Sequence, residues 1–348
     1  MIFLKDFMSK VLTGMSLGIV VCLIPNALVG EILKLMIQIF PEIKTVLETF
    51  LNISILATSL LPVIIGVLVG IQFKLTQIQT MSVGLATMVG SGVVSFTETG
   101  MTMAGIGVVI NIGITAAIAV IFVQWIGTRL KDYTLLLMPA LSIFIPGLIG
   151  MFTLPFVRSG SNYIGVGIMF LTDLQPIVMG MLIAMIFSLL ILSPISTIGV
   201  ATVIMISGIG AGAANLGVCA SGVGMAIASY RANNFGTSLA HIASAKIQMR
   251  NFFMKPKIAA PTIITAAILG ALAGIFKITG DPYSAGFGLA GFVGPLKYLS
   301  IENWSPSSIL ISIMMFIVLP IILNLFFIRL FERKMKWIKP EDYKVTYE

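Results

Sequence analysis

Charge is scarce in this chain. Of its 348 residues only 10% are Asp, Glu, Lys or Arg, where an ordinary soluble domain carries about 25%. A water-facing sphere cannot cover itself with so few charges, whereas a lipid-facing surface needs almost none. Histidine is represented once, by His241, and cysteine twice, by Cys22 and Cys219, each in an apolar stretch. With no CxxC and no Cys/His cluster, neither a disulfide framework nor a metal site is expected. The chain lacks a GxSxG motif and any His/Asp/Glu cluster, so a hydrolase has no parts to work with. Its glycine-rich stretches follow no strand and run into no Lys-Ser/Thr, which argues against a nucleotide loop. No catalytic residue and no cofactor is therefore expected.

What the chain has instead is apolar length. It is 58% hydrophobic, with a mean hydropathy of +1.08. At ~20 residues per crossing, the length allows roughly ten membrane-spanning helices and leaves no room for a soluble domain of normal size. The net charge of +8 is spread in short basic runs between apolar segments. That is the positive-inside pattern of a membrane protein in contact with lipid, and no nucleic-acid partner is expected. The first apolar segment, residues 8–30, is too long for the core of a signal peptide and reads as a retained span.

Spans follow from the apolar runs and orientation from Lys and Arg. Crossings are expected near residues 8–30, 52–73, 81–97, 104–126, 135–156, 176–192, 197–212, 213–230, 258–276 and 308–328. Residues 31–50 mix charges with apolar residues at helical spacing, as in an interfacial amphipathic helix. Residues 161–171 and the Gly-rich residues 281–299 read as re-entrant. The expectation is an all-α integral membrane fold of about ten transmembrane helices with two re-entrant Gly-rich hairpins. It forms a single polytopic membrane transport domain over residues 1–348. Tails 1–7 and 330–348 and the basic segment 229–257 are cytoplasmic, and the bacterial inner membrane is the expected location.

Two segments, GIGAGAANLGVCASGVG (208–224) and SAGFGLAGFVGP (284–295), interrupt the hydrophobic pattern with glycine. Such paired breaks point to a transporter binding site, but close helix packing explains them equally well. Asn215, Ser221 and Ser284 lie within them. Glu98, with Thr97 and Thr99 beside it, is either a carboxylate at membrane depth, and so functional by default, or a loop glutamate in outer water. Asn111 falls inside an apolar span, where an amide glues helices or meets substrate. His241 is a surface or interface histidine, or one that meets a phosphoryl group. Arg231 anchors a span end, or pairs with a carboxylate or an anionic substrate. Asp281 opens a turn, and Cys219 is a small packed apolar residue.

The runs NLGVCASGVGMAIASYRANNFGTSLAHIASAKIQMRNF and SAGFGLAGFVGPL, with the opening FMSKVLTGMSLGIVVCLIPNALVGEI, resemble the enzyme IIC-type membrane components of the phosphotransferase system. That family includes the perfringolysin O regulator-like membrane proteins of Gram-positive bacteria. The resemblance covers nearly the whole chain. It implies a homodimeric permease for a small polar substrate, a sugar or polyol, with re-entrant hairpins around the sugar site. In such proteins a Glu and a His near the sugar matter, and Glu98 and His241 are the matching residue types here. The chain departs from a complete permease in having no soluble domain for a phospho-accepting histidine or cysteine. Phosphorylation would then need separate IIA and IIB partners. A phosphorylation-independent carrier of a small polar or anionic solute, and a non-transporting membrane regulator, remain as alternatives.

Overall fold

In a solvent that offers no hydrogen bonds, an apolar stretch must satisfy its own backbone, and helices do this within one segment. The computed structural model of the chain describes residues 2–98, 100–103 and 105–345. It is mainly helical and divides into two compact units that meet in sequence at residues 160 and 161.

The first unit begins with α1 (Ile2–Ile39), followed by α2 (Lys44–Ser59) and α3 (Leu61–Gln72). α1 runs nine residues past the expected end at residue 30. The break falls at Pro41, which has no N–H to continue the ladder. The amphipathic stretch 31–50 is thus shared between the end of α1 and the start of α2. α2 and α3 form one bent pair, kinked by 45°. Thr76 and Gln79 close a reciprocal capping box that starts α4 (Gln77–Val89). α4 ends well before the expected residue 97, because Gly90-Ser91-Gly92 breaks it and Gly92 takes a left-handed φ of +73°. An antiparallel hairpin follows, β1 (Val94–Thr97) and β2 (Gly100–Met103), with Val94 opposite Met103 and Thr97 opposite Gly100. The fold is therefore not purely helical. Thr99 lies outside the described residues.

α5 (Val109–Leu130) carries Asn111 on its buried side. α6 (Thr134–Ser142) then passes through a wide turn at Ile143–Gly147 into α7 (Leu148–Met169). Arg158 sits within α7 rather than at a span end, and residues 161–169 continue that helix instead of turning back, followed by a 3-10 turn at Phe170–Asp173. Within the first unit α3 packs on α1 and α4, and α4 on α5 and α6. Ile19, Leu61, Ile65, Val83, Ile112 and Val120 are fully buried there.

The second unit is built around α10. Its first helices are α8 (Pro176–Leu190) and the short α9 (Thr197–Val203), capped by Ser196. The expected span 197–212 is two elements, because α10 (Gly208–Ser229) begins afresh at Gly208 with φ +59°. Residues 213–230 are the rest of that helix and not a separate crossing. α11 (Phe235–Ala243), α12 (Met249–Met254) and α13 (Ala260–Phe276) follow. After an irregular glycine-rich loop come α14 (Val293–Ile301), α15 (Pro306–Ile313) and α16 (Leu319–Arg329).

α10 is packed by α8, α13 and α16. The contact is close because small residues face carbonyls. A Cβ at Gly217 would lie 2.1 Å from the Ala184 carbonyl oxygen, and one at Gly212 would lie 1.9 Å from that of Ile278. The glycines of 208–224 therefore serve packing, within a continuous helix rather than a broken one. By length and composition, five helical stretches of the described residues can cross a membrane, or six with the bent α2–α3 pair.

Candidate substrate-binding site

The glycine-rich loop beside α10 is the most constrained irregular backbone in the second unit. Gly208 and Gly280 exchange N–H to carbonyl bonds of 3.0 Å in both directions, tying the loop's start to the first turn of α10. Asp281 and Ser284 close the next turn: Asp281 Oδ1 accepts from the Ser284 N–H at 2.7 Å, and Ser284 Oγ accepts from the Asp281 N–H at 3.0 Å. Asp281 also pairs with Lys297 at 2.7 Å. Gly286 and Gly288 then take left-handed φ values of +86° and +62°. A Cβ at Gly288 would stand 2.8 Å from the Cys219 amide nitrogen, so only glycine lets the loop lie this close to α10.

Asn215 holds the middle of the loop. Its Oδ1 accepts from the Phe287 and Gly288 N–H groups at 3.2 and 3.1 Å. Thr197, at the start of α9, donates to the Gly286 carbonyl at 2.8 Å. Asn215 is 1% exposed, and its Nδ2 has no hydrogen-bond partner among the described residues. An unsatisfied buried amide costs about 1–3 kcal/mol, a cost that Thr265, Thr279 and Asn324 of the same unit share, each with a buried oxygen unpartnered among the described residues.

The other candidates divide between the units. In the first, Glu98 is exposed in the hairpin turn and Thr97 donates to the Gly100 carbonyl at 2.8 Å. Asn111 is fully satisfied. Its Nδ2 donates to the carbonyls of Gly90 and Gly150 at 2.6 and 2.8 Å, and its Oδ1 accepts from Thr153 at 2.8 Å. That arrangement is helix glue joining α5 to α7 and the end of α4. In the second unit, Ser221 is buried and hydrogen-bonded to Ser188, both to its Oγ at 2.7 Å and to its carbonyl at 2.9 Å. Arg231 forms an ion pair with Glu332. Asn215 and Ser284 share the loop, while Ser221 faces α8 instead.

His241 is buried, not on the surface. Its Nδ1 lies 2.8 Å from the Thr237 carbonyl and 3.1 Å from that of Ser238, and its Nε2 lies 3.0 Å from Gln248 Nε2. A neutral ring with the proton on Nδ1 satisfies all three contacts. Burial pushes its pKa down to about 4, against the pull of the two carbonyls. Gln248 and Asn233 both donate to the Tyr343 carbonyl at 2.9 Å, and Asn251 donates to that of Lys344 at 2.9 Å. The polar residues after α10 thus grip the chain's last described residues. Lys246, within the basic segment 229–257, is also buried. It donates to the carbonyls of Ser193 and Ile195 at 2.5 and 2.7 Å, and desolvation lowers its pKa to about 7. Those partners lie some fifty residues away in sequence, and no local pattern announces them.

Apolar helices of spanning length, with a buried amide beside a glycine loop, define a multi-pass α-helical membrane protein. The chain matches the family described as Phosphotransferase system, EIIC over residues 9–345, nearly its whole length, and belongs to that family. Membership makes it a sugar-transport component. No curated protein and no solved structure matches it.

Proposed function

We propose that the chain is a permease that moves a neutral sugar or polyol inward across the bacterial cell membrane, for phosphorylation by separate IIA and IIB proteins. The observation that carries the site is the unpartnered Asn215 Nδ2 beside the Gly286–Gly288 turn. It would donate to a substrate hydroxyl, with Ser284 in the same loop. Asp281 of that loop is neutralised by Lys297 and the Asn215 amide is an uncharged donor, which favours a neutral ligand over an anion. Glu98, exposed in its hairpin, is the candidate acceptor of the first unit. A homodimer and cytoplasmic termini belong to the same proposal. The termini rest on the basic run Arg329, Arg333, Lys334, Lys336 and Lys339.

The test is the melting temperature of the full-length protein in detergent against sugars, alditols, sugar phosphates, nucleosides and organic acids. A ligand at a hundredfold excess over its Kd stabilises the fold by about 2.7 kcal/mol. One neutral sugar or alditol should raise the melting temperature, and Asn215→Leu should abolish that shift while remaining folded. A shift with organic acids alone would replace this reading with a carrier of anions. Uptake of the identified sugar without phosphoenolpyruvate would remove the coupling to phosphorylation.

A further inference from the structure

A cavity of about 450 Å³ lies apart from the Asn215 loop in sequence and in lining residues. Its walls include Lys255, Lys257, Lys336, Trp337, Lys339 and Asp342. One candidate span, Pro256–Phe276, starts at this cavity, and another, Pro306–Lys334, ends just before Lys336. The cavity therefore opens where two helices leave the apolar layer. Four lysines and one carboxylate give it a surplus of three positive charges. Asp342 is committed twice, to Lys255 as an ion pair and to the Lys339 N–H at 3.0 Å. Lys257 stands with its Nζ 5.8 Å from the centre of the Trp337 ring. Lys257, Lys336 and Lys339 have exposed side chains and no carboxylate partner among the described residues.

The wall that carries Lys336, Trp337, Lys339 and Asp342 is fixed in place. Ile338 and Tyr343 are each 1% exposed. The Tyr343 hydroxyl donates to the Ile258 carbonyl at 3.0 Å, at the start of the neighbouring span. Trp337 meets Phe331 edge to face at 5.5 Å. The N–H groups of Met335 and Trp337 close the preceding helix end by bonding to the carbonyls of Leu330 and Phe331, both at 3.0 Å. Between them Lys336 takes a left-handed φ of +55°. Helix ends of this shape commonly place glycine there, and a lysine in that conformation is strained.

We propose that this cavity binds a phosphate group at the membrane surface, carried by the headgroup of an anionic phospholipid or by a free phosphate monoester. The ammonium groups of Lys257, Lys336 and Lys339 supply donors and charge for the phosphate oxygens. Basic recesses between spans suit anionic headgroups, and Trp337 has the amphipathic ring found at headgroup level.

The experiment uses the full-length protein in neutral detergent. Native mass spectrometry with equal phosphatidylglycerol and phosphatidylcholine reads the lipid arm. The free-phosphate arm reads Trp337 fluorescence in a W125F/W304F background, during titration with inorganic phosphate and with glucose 6-phosphate. Retention of phosphatidylglycerol over phosphatidylcholine, weakened at least about tenfold in K257Q/K336Q/K339Q and by raised salt, supports the lipid source. A saturable phosphate response without lipid preference supports the free monoester. Equal retention of both lipids together with no phosphate response in the unsubstituted lysine background overturns the proposal. Those two arms and the salt dependence decide the matter even where the triple variant fails to fold.

Discussion

Asn111 and Asn215 are both buried asparagines in apolar helices, yet their amides are spent differently. Asn111 satisfies two carbonyls and a hydroxyl of its own fold. Asn111→Leu should therefore lower stability by roughly 2 kcal/mol, seen as a fall in melting temperature, with any loss of uptake tracking the fall. Asn215 keeps its Nδ2 unused but its Oδ1 holds the Phe287 and Gly288 N–H groups, so Asn215→Leu should lower stability by about 1–3 kcal/mol and also abolish the ligand-induced shift. A Cβ at Gly212 meets the Ile278 carbonyl at 1.9 Å, too close for side-chain adjustment to relieve. Gly212→Ala should destabilise by about 1–3 kcal/mol, read as reduced yield and melting temperature in detergent. Asn215, Asn111 and the glycines stood out in the sequence because polar or helix-weakening residues in apolar runs need a reason. Which reason applies depends on partners distant in sequence, as with Asn111 and Gly150. Lys246 was illegible for the same cause: a lysine in a basic segment looks solvated until its two carbonyls are seen.

At the scale of elements, α13 lies where residues 258–276 place a span, while α8 lies within 176–192 but, at Pro176–Leu190, falls short of spanning length. Errors gathered where helices neither start nor stop at a charge. α7 runs through Arg158, whose guanidinium donates to the Gly92 carbonyl at 3.3 Å. The β1–β2 hairpin replaces the end of an expected span, because Val, Phe and Thr alternate there beyond a glycine break. Charge alone makes the chain's last described residues a cytoplasmic tail. In the structure they form a hook held by Tyr343, whose hydroxyl bonds to Ile258 while its carbonyl receives Gln248 and Asn233. Tyr343→Ala should cost about 3 kcal/mol. Hydrogen exchange should then quicken in α11 and α12 together with residues 337–345, and unchanged exchange in α11 would show that the hook and the His241 cluster are independent.

For the molecule as a whole, the segment after α10 buries His241 and Lys246, and their effects on stability fall in separate pH windows. Burial favours the neutral form of each. His241 is lowered to about 4 from an ordinary 6.5. Above 6.5 neither state holds the proton. As pH falls toward 4 the unfolded chain takes it up and the folded protein does not, so stability is lost across that window, on the order of 3 kcal/mol. Lys246 is lowered to about 7 from 10.5. Between those values the unfolded chain binds more protons, so stability falls as pH drops from 10.5 to 7 and levels off below. Melting temperatures of the full-length protein in detergent from pH 4.5 to 10 should show both slopes. His241→Gln should flatten only the acidic one and Lys246→Met only the alkaline one. The neutral amine still donates to Ser193 and Ile195, so Lys246 serves the fold best when uncharged, and the alkaline slope measures what it costs the protein to hold that lysine charged near neutrality. A Lys246→Met protein that keeps the alkaline slope would place the responsible group elsewhere in the chain.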